Sequence, residues 1–68
     1  MNEELLNIQV RKFLKKVGIQ SQREIEQAVK DRMKKGILTG KENLVATMLL
    51  EVPEIELRVS IDGKIEIG

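Results

Sequence analysis

A chain of 68 residues makes one small domain, residues 1–68, and at this length folding buries only about 60% of the surface the unfolded chain exposes. With no Cys, His, Trp or Tyr, and Phe13 as the single aromatic residue, the chain lacks disulfides, thiolate or imidazole metal sites and bulky core aromatics, which leaves oligomerisation as the open route to stability. The net charge of +1 conceals a split: residues 1–41 carry ten Lys/Arg against five Asp/Glu, a net of +5, whereas residues 42–68 carry two against six, a net of −4.

The first predicted helix runs from about Glu3 to Val17. Asn2 serves as its cap, and Glu3 and Glu4 lie at the positive end of its dipole. At about 100° per residue, Leu6, Val10, Phe13, Leu14 and Val17 share one face, and Arg11, Lys12, Lys15 and Lys16 lie opposite. Leu5 and Ile8 project toward the basic side and are candidates for a contact the monomer does not supply. Gly18 reads as a left-handed helix stop, with Ile19 folding back on the last turn. Ser21 and Glu24 then form a capping box, opening a second helix from Gln22 to about Lys35 that buries Ile25, Ala28, Val29 and Met33. Glu26–Lys30 and Asp31–Lys35 are in the favourable i,i+4 order, and Gly36 ends the helix. Ile37 repeats the role given to Ile19, and with Leu38 it makes the following loop apolar enough to lie against the body of the fold.

From Asn43 the period changes from helical to alternating. Leu44, Ala46, Met48, Leu50 and Val52 fill one face of a first strand whose other face, Val45, Thr47 and Leu49, is nearly as apolar. Such a strand requires cover on both sides. Pro53 cannot donate to a ladder and marks the turn to a second strand, in which Ile55, Leu57, Val59 and Ile61 alternate with Glu54, Glu56, Arg58 and Ser60. A three-residue loop, Ile61, Asp62 and Gly63, then leads to a third strand. It pairs Val59 with Ile65, Leu57 with Ile67 and Arg58 with Glu66. The expected architecture is α+β: an N-terminal helical hairpin packed on a three-stranded antiparallel β-meander, in the order α-α-β-β-β.

Catalytic chemistry finds few footholds. Without His or Cys there is neither an imidazole base nor a thiolate nucleophile, and Gly18, Gly36 and Gly40 are spaced as helix ends, not as a phosphate loop. Glu51, Glu54, Glu56, Asp62 and Glu66 fit a solvated surface, so the expectation is a non-enzyme with no cofactor and no metal. The leading functional expectation is a protein–protein interaction module acting as a homodimer. Its interface candidates are Leu5, Ile8, Leu44, Ala46, Met48 and Leu50, because this apolar surplus exceeds what a two-layer monomer covers. The alternative is a nucleic-acid-binding module. Two helices around a short Gly-containing turn, followed by a hairpin, resemble a winged helix-turn-helix, with Arg11, Lys12, Lys15, Lys16 and Arg23 placed for phosphate. Against that alternative stand a pI of about 8.0, the lack of an aromatic platform, and Glu24, Glu26 and Asp31 on the would-be recognition helix. No apolar run approaches the roughly 18 residues that span a bilayer, and Met1–Glu4 has no positive leader, so a cytoplasmic protein without membrane association is expected.

The segments LNIQVRKFLKKVGIQSQREIEQAV and IDGKIEI, near the two ends of the chain, resemble a family of short, uncharacterised bacterial proteins classed only as a domain of unknown function. That resemblance implies a small bacterial cytosolic protein and brings with it no activity, cofactor or catalytic residue.

Overall fold

The computed structural model describes residues 1–68 as two compact units, Met1–Ile37 and Leu38–Gly68. The first is one continuous helix, α1 (Glu3–Lys34). At 1.5 Å rise per residue it is about 48 Å long. Asn2 caps it as its side chain predicts, the Oδ1 accepting from the backbone N–H of Leu5 at 3.0 Å. The expected break at Gly18 is absent: Gly18 is helical, Ser21 and Glu24 form no capping box, and Ile19 lies exposed on the helix surface.

The physical reason lies in what a break would cost. A Gly inside a helix costs about 1 kcal/mol relative to Ala and Ser less. A helix stop instead strands carbonyls on one side and N–H groups on the other. A hairpin recovers that loss only by packing two stripes together. The stripe of α1 runs Leu6, Val10, Leu14, Val17, Ser21, Ile25, Ala28, at unbroken three- and four-residue steps straight through the supposed turn.

The real stop is at Gly36, as expected. Gly36 is left-handed (φ 74°), its N–H donates to the carbonyl of Met33 at 3.1 Å, and the N–H of Ile37 donates to that of Arg32 at 2.9 Å. These two bonds are the Schellman pattern that satisfies the last carbonyls. The side chain of Ile37 remains exposed and Leu38 is half-buried. In the last turn, Asp31 holds Lys35 at 3.2 Å and Arg32 at 2.7 Å. Such exposed pairs contribute little.

The second unit is a two-stranded antiparallel ribbon, β1 (Asn43–Val52) and β2 (Leu57–Glu66). Pro53 marks the turn, as expected, but the turn takes in more of the chain: Pro53–Ile55 form a 3-10 turn and Glu56 closes it at φ 53°, its N–H donating to the carbonyl of Pro53 at 3.0 Å. There is no third strand. Asp62 and Gly63 lie inside β2, opposite Thr47 and Ala46, so the loop at Ile61–Gly63 and the pairing of Val59 with Ile65 do not occur.

The α-α-β-β-β expectation is thus corrected to α-β-β. The meander would have left a third strand of only a few residues. Pairing two full strands instead keeps the period-two run Leu57, Val59, Ile61, Gly63, Ile65 on one face from end to end.

Candidate interaction surface

The register sorts the ribbon into two unlike faces. On the first, Leu44 pairs with Ile65, Ala46 with Gly63, Met48 with Ile61, Leu50 with Val59 and Val52 with Leu57, so every pair is apolar. On the second, Val45 pairs with Lys64, Thr47 with Asp62, Leu49 with Ser60 and Glu51 with Arg58. The Thr47 hydroxyl donates to Asp62 Oδ1 at 3.0 Å across this second face. The structure therefore gathers the four β1 interface candidates, Leu44, Ala46, Met48 and Leu50, onto one side and adds β2 residues to it, among them Ile61 and Gly63, which the expected meander puts in a loop, and Val59, which it pairs with Ile65. The signal for these was the unbroken alternation through Gly63.

No side chain of either unit is buried. A lone helix and a two-stranded ribbon have no interior of their own, and an isolated hairpin is at best marginally stable in water. Fully burying a side chain such as Leu50 or Ile61 is worth about 1.5–3 kcal/mol. The apolar face is the largest reserve of stabilisation in this unit.

On α1, Leu5 and Ile8 are more than half exposed, but so are Leu6 and Leu14 on the stripe, and Ile19 lies on the side of Leu5 and Ile8. Phe13 on the stripe itself is 53% exposed. The basic candidates Lys12, Lys16 and Arg23 lie within about 40° of one another on the helix, with Lys15 and Arg11 progressively further round. Lys12, Lys15, Lys16, Ile19 and Arg23 border a shallow depression along the helix surface. The helix-turn-helix alternative loses its framework, since residues 3–34 contain neither a turn nor a second helix to present to a groove.

Acidic residues do not converge: no group of three His, Cys, Asp or Glu side chains is placed to hold a metal ion. One carboxylate is specially held. Glu42 accepts from the backbone N–H groups of Thr39 (2.8 Å to Oε2), Gly40 (3.0 Å) and Lys41 (3.1 Å), a nest of successive amides shaped by Gly40 at φ 95°. The Thr39 amide, foremost among these donors, holds the Glu42 carboxyl below its ordinary value of 4.5. This bond set fixes the entry into β1, and the carboxylate already fills the nest. No helix of the chain is long and apolar enough to cross a membrane.

A match to a family of unknown function, DUF6494, covers residues 1–68, and the chain belongs to that family. No curated protein and no solved structure matches it.

Proposed function

We propose that this member of the family is a small, non-enzymatic interaction protein that acts as a homodimer. The observation supporting this reading is the all-apolar face of the ribbon, in a unit with no interior to receive it. Surface of that kind, contiguous over the length of two strands, marks an interaction site. The charge split adds a second support. The unit Met1–Ile37 carries nine Lys/Arg against five Asp/Glu, a net of +4, and the unit Leu38–Gly68 carries three against six, a net of −3. Unlike units of two copies attract at long range, which favours encounter at low salt without fixing which surfaces meet.

Sedimentation equilibrium at micromolar concentration tests the reading. Twice the chain mass of 7.8 kDa is the expected result, and a clean monomer overturns it.

A further inference from the structure

We infer that the outer edge of β1 pairs antiparallel with β1 of a second copy, about a twofold axis at Thr47, making a four-stranded sheet in the order β2-β1-β1-β2. This deepens the dimer proposed above and rests on it. The N–H of Ile67 donates to the carbonyl of Glu42 at 3.3 Å, and Glu42 and Ile67 are opposite one another when the ribbon register is extended by one residue. Alternation then directs the backbone of even-numbered β1 residues toward β2 and that of Asn43, Val45, Thr47, Leu49 and Glu51 toward the open edge. No hydrogen bond within the chain takes up these outward groups.

The two edges of the ribbon differ in how they are defended. The outward positions of β2 are Arg58, Ser60, Asp62, Lys64 and Glu66, a row of charges of the kind that blunts an edge. β1 has no charge from Asn43 to Leu50, and no Pro or Gly, and Val45 is 77% exposed. That is an edge built to be paired.

The register follows from the side chains. The pleat admits only pairings that keep the apolar face continuous, so even residues must oppose even residues. A twofold at Thr47 sets Thr47 against its own copy, Val45 against the partner's Leu49 and Asn43 against the partner's Glu51. On the apolar face it sets Leu44 against the partner's Leu50 and Ala46 against the partner's Met48. Every outward N–H and C=O from Asn43 to Glu51 then finds a partner. A twofold at Met48 would instead set Val45 against the charged Glu51 of the partner and Asn43 against the partner's Pro53, which has no N–H to give. Four strands with one common apolar face also meet the requirement a lone hairpin fails.

The chain has no native cysteine, so introduced thiols report the register directly. Thr47→Cys sets two thiols on opposed residues with Cα atoms about 5.5 Å apart, within disulfide reach. On mild oxidation of the full chain it is expected to convert almost wholly to a covalent dimer, whereas Ser60→Cys on the far edge stays monomeric on a denaturing gel. Val45→Cys and Leu49→Cys should each fail to link alone and link when mixed. If sedimentation finds a dimer in which Thr47→Cys does not link, or Ser60→Cys links instead, the β1 edge is refuted and the dimer stands. If sedimentation finds only monomer, both readings fall.

Discussion

Replacing Gly18 by Ala separates a helical Gly18 from a hinge with a sign, not only a size. Gly18 sits in the interior of α1, and a Cβ added to it meets nothing within 4 Å. Only the backbone term remains. Gly in a helix interior costs about 1 kcal/mol relative to Ala, through the freedom it surrenders and the backbone it leaves wet. Gly18→Ala is therefore expected to stabilise the chain by about that amount, a shift of roughly fivefold in the folded-to-unfolded ratio. Gly36 is the internal control. Its Cβ would also meet nothing within 4 Å, but its φ of 74° is one that an L side chain enters only with strain. Gly36→Ala should cost about 1 kcal/mol or more. Urea melts followed by circular dichroism at 222 nm, at one fixed protein concentration because association couples to stability, measure both. A loss at Gly18 with reduced helicity would refute the continuous helix and restore the turn.

Four further outcomes are expected. Met48→Glu places a charge in the centre of the apolar face and should shift the sedimentation equilibrium to monomer, with circular dichroism confirming that strand signal survives. Asn2→Ala removes the acceptor of the Leu5 amide and should lower helix stability by about 1 kcal/mol in the same melts. Glu56→Gly relieves the one non-Gly residue at positive φ and should stabilise the ribbon by up to about 1 kcal/mol, raising its melting midpoint. Because the folded-state pKa of Glu42 lies below its unfolded value, its contribution is present above pH 4.5 and is lost as the pH falls through the folded value. The amide resonances of Thr39 and Gly40 should report that titration by NMR, and Glu42→Gln should abolish it.

What the sequence makes legible here is periodicity, and what misleads is punctuation. Asn2, Gly36, the start of β1 at Asn43 and the turn at Pro53 all lie where a change of period coincides with a cap, a glycine or a proline, and each is found in place. Gly18–Ser21 and Asp62–Gly63 are turn signals inside runs whose period does not change. The helical step continues from Val17 through Ser21 to Ile25, and the strand alternation continues from Ile61 through Gly63 to Ile65. In both places the chain keeps its element, because a permissive residue lowers the cost of a break without supplying a reason for one. That Leu44, Ala46, Met48 and Leu50 share one face was legible from alternation alone. Their β2 partners depended on the register, which a mistaken loop had displaced.

The difference between the two ribbon edges also bears on how assembly ends. A ribbon with two open edges would pair head to tail and grow without limit, the course taken by heterologous contacts that do not close. Here β2 is fringed by Arg58, Asp62, Lys64 and Glu66, while the uncharged run lies on β1. Pairing β1 with its own copy consumes the open edge of both chains at once and presents only charged edges outward. In the proposed dimer the assembly would therefore close at two, with the closure set by those charges. Replacing Arg58, Asp62 and Lys64 together by Thr should leave β1 pairing intact and open the outer edges, converting a discrete dimer into larger species in sedimentation velocity. A triple variant that stays dimeric would show that something other than edge charge limits growth.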